Sequence, residues 1–483
     1  MKKIGFFLAI LFLAFCIPIS SGCVSTSNKT FYKISCELNE NVLTANESVT
    51  FYNYTDNTIS ELKFNLHANA FRQGAGYNPI SSQYQGRAYP NGLSYGSMQI
   101  ISCTQNNSPL QFSIGGKDQN ILIVKLANEI YPSESVSIQI EFKVTLANVI
   151  ARTGYNDSTI NLGNFYPILC ALDKNGFYEC LYYSCGDPFY SECADYTVSI
   201  SLDKDYVVAS SGTVVSQSQN DNKKTITFEG KKIRSFCMVL SKQFKCLEQT
   251  VLGTKICYYY YDDPTPENSL DMAIKSFTLF SNLFGSYPYA QYSVVQTKFL
   301  QGGMEYPSLV MISDNLEGQS YGEVIVHETA HQWWQTVVGN NEIKYGFLDE
   351  GLAEYSVVLF YENHPEYGLE RENLIRSAQD TYKLFCTVSD KIFGRVNTVM
   401  SRSLSDFTSE YEYVNMAYIK PCIMYDYLRN TIGDKNFFKG LSKYYKDYSF
   451  KQATPDDLVG AFEKIGADTN GFFHSFFEGK VII

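Results

Sequence analysis

Near residue 262 the chain changes its period, and that break restricts the fold more than any other feature. From Thr30 to Asp262 short apolar runs sit between turn residues: Val49-Thr50-Phe51-Tyr52 before Asp56-Asn57, Ile121-Leu122-Ile123-Val124 after Gly115-Gly116, and the alternating Val136-Ser137-Ile138-Gln139-Ile140. Runs of this length between Gly, Asn and Asp predict strands, and their number predicts a sandwich or open antiparallel sheets. After Asp262 the texture turns helical. Asp263-Pro264-Thr265-Pro266 can open a helix, Leu270, Ala273, Phe277 and Phe280 recur near helical spacing, and Gly285 stands where a terminator belongs. A strand-like Tyr292–Gln296 follows, and helical periods then run to the end. The prediction is an α+β multidomain chain: an N-terminal antiparallel β-sandwich or saddle domain over 24–262, then a mainly α-helical domain with a small β-sheet over 263–483.

Length agrees with two domains, because single cores stop growing near about 250 residues and this chain has 483. The formal net charge of -11, with no long run of Lys or Arg, excludes nucleic acid as a partner.

The N-terminus reads Lys2-Lys3, an apolar stretch from Ile4 to Ile19, then Ser20-Ser21-Gly22-Cys23. That is the order of a secretory signal, and the stretch falls short of the ~20 residues of a membrane span. Small residues before Cys23 resemble a bacterial lipobox, although Ser20 stands where Leu is usual. Residues 1–23 are therefore expected to be a lipoprotein-type signal peptide. The protein is expected to be exported and held at the outer face of the membrane by a lipid on Cys23, or otherwise secreted. Of 13 cysteines, Cys16 leaves with the signal and Cys23 carries lipid. The odd remainder argues against a complete disulfide framework and for buried thiols, with a bridge somewhere among Cys180, Cys185 and Cys193 left open. No protein partner is predicted.

His327-Glu328-Thr329-Ala330-His331 is an H-E-x-x-H pattern in a chain with only five histidines. On a helix, residues i and i+4 share a face, so both imidazoles meet one point and Glu328 can reach a water held there. Val324, Ile325 and Val326 before the motif, and Trp333 and Trp334 after it, extend the predicted helix toward Gly339, its expected terminator. A catalytic zinc usually takes three protein ligands and keeps one position open. Glu350, on a second apolar-faced helix nineteen residues after His331, offers the third. Glu354, one turn on, either supports a ligand histidine or is an exposed charge.

With its spacing of eighteen residues between His331 and Glu350, the motif resembles that of the gluzincin aminopeptidases of the aminopeptidase N family. Phe284-Gly285-Ser286-Tyr287-Pro288-Tyr289, Leu62–Phe71 and Gly186-Asp187-Pro188-Phe189 extend the resemblance to nearly the whole chain. It implies a thermolysin-like catalytic domain and one Zn2+ per chain, held by His327, His331 and Glu350. The implied activity is removal of N-terminal residues from peptides by a zinc-bound water, with Glu328 as general base. The family's substrate motif maps onto Gly302-Gly303-Met304-Glu305, with Glu305 receiving the α-ammonium and Tyr306 in place of the usual Asn. Its catalytic tyrosine maps onto Tyr418 of Tyr418-Ile419-Lys420, ahead of Tyr411, Tyr413 and Tyr425; Pro421-Cys422 replaces Gly-Ala. The second amine-binding residue that relatives draw from the β-domain has no clear match. Larger relatives carry a capping domain, so the end of this chain soon after Phe472–Phe477 predicts an open cleft. Two other readings stand beside this one: a non-catalytic zinc-containing surface binding protein, and a hydrolase of a non-peptide bond at the same metal.

Overall fold

The computed structural model describes residues 29–467, 469 and 471–481. The signal peptide expected over 1–23, with Cys16 and Cys23, lies outside them. The first half is built on an eight-stranded sheet covered by two four-stranded sheets. Ser135–Thr145 shows why these residues form strands: exposed and buried positions alternate from Ser135 to Phe142, so one face meets the core and the other meets water. Pairing is mostly antiparallel, but Phe31–Asn39 runs parallel to Ala194–Asp203.

The second half holds a five-stranded sheet whose order is Lys245–Val251, Thr254–Tyr260, Gln291–Thr297, Leu309–Ser313 and Gly303–Tyr306. Its first two strands form a hairpin that the sequence assigns to the β-domain. Thr254–Tyr260 hydrogen-bonds in parallel to Gln291–Thr297 across the expected boundary. By pairing, the change of sheet falls between Ser241 and Lys245.

Helices pack on this sheet. Pro266–Leu283 ends at Phe284, and Gly285 follows at φ 145° with the Tyr445 ring filling the space of a Cβ. The motif helix, Gly318–Ala330, is shorter than expected: the chain leaves it at His331, so the two tryptophans lie in the turns beyond and Gly339 sits in a short strand. Both tryptophans are buried, and Trp333 Nε1 donates to Gly285 O at 2.7 Å while its ring packs edge-on against Phe277 and Phe280. This anchors the exit of the motif helix, since losing such an aromatic costs about 3–5 kcal/mol.

Arg234 and Tyr306 are among the residues that bind the halves together. Arg234, from the β-domain, donates to Gln335 O at 2.9 Å and Lys451 O at 2.6 Å and lies flat against Gly339, where a side chain would strike its guanidinium. Tyr306 reaches the other way, its hydroxyl donating to Asn164 Oδ1 at 2.7 Å. The eleven described cysteines are all free thiols, including Cys180, Cys185 and Cys193.

Candidate active site

Three donors converge where the motif helix meets the helix Phe347–Asn363. His327 Nε2 and His331 Nε2 are 3.1 Å apart, and Glu350 Oε2 lies 3.3 Å from the first and 3.2 Å from the second. A tetrahedral zinc with bonds of about 2.0–2.1 Å needs donors about 3.3 Å apart, so these residues fit that ion. The ring orientations agree. His331 Nδ1 donates to Trp334 O at 3.0 Å, a bond made possible by the turn beyond the helix, and this leaves Nε2 with its lone pair toward the site. His327 Nδ1 faces Glu354 Oε2 at 3.3 Å, so Glu354 holds the first ligand and is more than a surface charge.

Glu328 is buried beside this triad, its Oε2 without a protein partner. Burial pushes its carboxyl up to about 7 against the opposing pull of His327 and His331. Gly303 explains how it fits: any side chain there would collide with the Glu328 carboxylate. A proton acceptor that is buried and unpartnered suits general-base work.

The strand Gly303–Tyr306 divides its residues by alternation. Gly302, Gly303 and Glu305 line a cavity of about 400 Å³ together with the metal donors. Met304 is turned away into an apolar cluster with Tyr182 and Phe189, so only its backbone is available to a ligand. Glu305 is 4% exposed, with Oε1 unpartnered, and its donor atom lies within 4.8 Å of those of Glu328 and His331. Burial, reinforced by Asp187 nearby, raises its pKa well above the usual carboxylate range.

Asp187 is the residue that sequence reading left unassigned. It comes from Gly186-Asp187-Pro188-Phe189 of the β-domain and lines the same cavity at 8% exposure. Its Oδ1 sits 2.6 Å from Arg152 Nη2 as an ion pair lacking hydrogen-bond alignment. The signal was present in the quoted tetrapeptide, but nothing local to it shows that the loop folds over the metal site.

Tyr418 lies on a single π-helical turn, Asn415–Ile419, between Glu410–Val414 and Lys420–Ile432. Pro421 accounts for the widened turn: it lacks an N–H, and its ring would press on the carbonyl of Ala417 in a regular helix. The Tyr418 ring stacks on His327 at 5.9 Å, and its hydroxyl donates to Glu350 Oε1 at 2.5 Å, the oxygen that the histidines do not face. Burial, then the Glu350 charge, keeps it a protonated phenol. Tyr413 also lines the cavity, whereas Tyr411 is half exposed and Tyr425 is buried behind it. Lys420 points away, Nζ donating to Thr398 O at 2.6 Å and Phe476 O at 3.2 Å, which fastens this helix to the last segment of the chain.

Comparison with known proteins bears on this geometry. Residues 268–476 match the model of the peptidase family M1 domain. Aminopeptidase M1-B of Oryza sativa subsp. japonica is 24% identical over 56% of this chain and 32% of its own length, and aminopeptidase M1-D of the same plant is 22% identical over 75% and 42%. The chain thus spans between about a third and two fifths of these curated relatives. Among solved structures, the M1 zinc metallopeptidase from Deinococcus radiodurans superposes with a TM-score of 0.67 at 17% identity, covering 95% of this chain and 96% of that one. In sequence, residues 268–476 are similar to the peptidase family M1 domain, and the chain as a whole has the fold of the M1 zinc metallopeptidases.

Proposed function

We propose that this protein is a zinc-dependent aminopeptidase that takes residues from the N-termini of peptides. The observation that carries this reading is a pair of buried carboxylates in the cavity beyond the metal donors. Glu305 and Asp187, one from each half of the chain, are buried carboxylates beside Glu328 and the three donors. A substrate ammonium there gives the buried Glu305 carboxyl a counter-charge beside an Asp187 that already faces Arg152, and only the first peptide bond then reaches the reacting groups. An endopeptidase has no use for such a stop.

His327, His331 and Glu350 would hold one zinc ion, which supplies Lewis acidity toward the scissile carbonyl and toward water. Glu328 takes the proton of the attacking water on its free Oε2 and passes it to the leaving nitrogen. The Tyr418 hydroxyl donates to the carbonyl oxygen as charge builds on it. Gly302 and Gly303 present backbone to the peptide along a strand edge. A structure of the Deinococcus radiodurans enzyme is described as bound to a Tyr-Ser-Ala substrate, in keeping with a peptide in this cleft.

The test is a panel of aminoacyl-coumarin substrates, free and N-acetylated, with and without chelator. Cleavage of the free amines alone, lost on chelation and restored by zinc, is expected. Equal cleavage of acetylated substrates would remove Glu305 and Asp187 from this role. The N-terminal motif further supports export and lipid attachment at Cys23. Incorporation of labelled palmitate into wild type but not into Cys23→Ser tests that; an unlabelled wild type would refute it.

A further inference from the structure

We propose, building on the aminopeptidase reading, that the mouth of this cleft selects peptides whose leaving portion is cationic, with Lys or Arg just beyond the scissile bond. Burial separates two groups of carboxylates. Glu305 and Asp187, the proposed amine receptors, lie buried with the donor set and Glu328, while Glu323 and Glu410 line the same cavity at partly exposed positions. An extended peptide with its amine at Glu305 and its first carbonyl beside Glu328 therefore leaves the buried group toward Glu323 and Glu410. Glu323 stands one turn before His327 on the motif helix, and Glu410 opens the short helix that leads into Tyr418.

Neither rim carboxylate is neutralised. Glu323 Oε1 accepts from Gln319 Nε2 at 2.8 Å and Glu410 Oε2 from Gln83 Nε2 at 3.2 Å, both uncharged partners. Among the described residues lining the cavity, Arg152 is the sole Lys or Arg, and Asp187 already engages it at 2.6 Å. Seven carboxylates line the cavity. The buried ones face the donor set, Arg152 and the substrate amine, which leaves Glu323 and Glu410 as the rim charges that no cation offsets. A cleft walled by low-dielectric protein focuses that surplus outward, where it attracts cations and repels acidic chains. Rim charges act mainly on encounter and on discrimination between partners, so the effect belongs to the part of the peptide that leaves.

The experiment uses zinc-loaded Glu328→Gln as a binding host and three dye-labelled peptides, Ala-Lys-Lys, Ala-Ala-Ala and Ala-Glu-Glu, followed by fluorescence anisotropy. At about 0.02 M salt Ala-Lys-Lys is expected to bind about tenfold tighter than Ala-Glu-Glu, with the ratio falling to about twofold at about 0.5 M. Adding Glu323→Gln and Glu410→Gln to the host should shrink the low-salt ratio to about threefold or less. Equal binding of the three peptides at low salt, no binding of any, or a preference that survives both substitutions would overturn the proposal. Turnover of an alanyl-coumarin by wild type reports separately on the aminopeptidase reading, so cleavage without discrimination sinks this inference alone.

Discussion

Gly351 and Pro421 touch so closely that a Cβ on the glycine would lie 2.5 Å from the proline Cβ. Gly351 follows the third metal donor, Glu350, and Pro421 stands three residues after Tyr418, so this contact sets the separation of the two helices that carry them. The short bond from Tyr418 to Glu350 depends on it. Gly351→Ala should push the helices apart and destabilise the fold by about 1–3 kcal/mol. Turnover should fall further than metal content, because a displacement of about 1 Å costs up to about 10²-fold while the histidines still hold the ion. Zinc analysis beside kcat on the same preparation checks this; full activity would show that the helices move without consequence.

In the proposed mechanism Glu328 transfers protons and Tyr418 stabilises charge, so their losses should look different. Glu328→Gln should keep zinc and lose about 10²- to 10⁴-fold in kcat. Tyr418→Phe should lose about 10²- to 10³-fold with a nearly unchanged KM, since the hydroxyl acts on charge that appears only in the transition state. A Tyr418→Phe enzyme with wild-type kcat would pass the role to Tyr413, the other tyrosine lining the cavity.

How far the site was legible depends on the range of each interaction. His327 and His331 are four residues apart on one helix, so the helical period alone brings them together, and Glu350 needs only one helix-to-helix turn. Glu305 and Glu328 meet through sheet order and the bare Gly303, which a strand-turn-helix pattern suggests. Asp187 joins them from 118 residues before Glu305, through an interdomain contact with no period to announce it. The end of the motif helix was misjudged for a similar reason. Trp333 and Trp334 suit a helix face, but burial against Phe277 and Phe284 and the His331 bond to Trp334 O favour the turn. The hairpin 245–260 shows the same limit at domain scale: strand character is local, whereas the sheet that a strand joins is not.

Glu354 should matter to metal affinity although it is not placed as a ligand. Its carboxylate faces His327 Nδ1 at 3.3 Å and favours the tautomer that leaves Nε2 free. His331 has a backbone carbonyl for the same purpose, which no side-chain substitution removes. Glu354→Ala should weaken zinc binding about 10- to 100-fold with a smaller effect on kcat at saturating zinc. Competition against a fluorescent chelator measures it, and an unchanged dissociation constant would return Glu354 to the status of a surface charge.

His67 should make stability fall with acidity. It is 7% exposed, with its ring edge-on to Phe189 at 5.0 Å and to Tyr182 at 6.4 Å. Burial, helped by the positive charge of Arg152, lowers its pKa from 6.5 to about 3. The folded protein thus keeps this ring neutral where the unfolded chain takes up a proton. Its contribution is fully present above the unfolded value and is lost as pH falls from there toward 3. One such proton costs about 2 kcal/mol between about pH 7 and about pH 5. His67→Phe keeps an apolar ring and cannot titrate, so urea unfolding at the two pH values should show wild type losing about 2 kcal/mol more than the variant. Metal loss in acid affects both proteins alike and cancels in the difference. Parallel stability curves for the two would mean that His67 is protonated in the fold, and that Arg152 and Asp187 nearby leave room for a second cation.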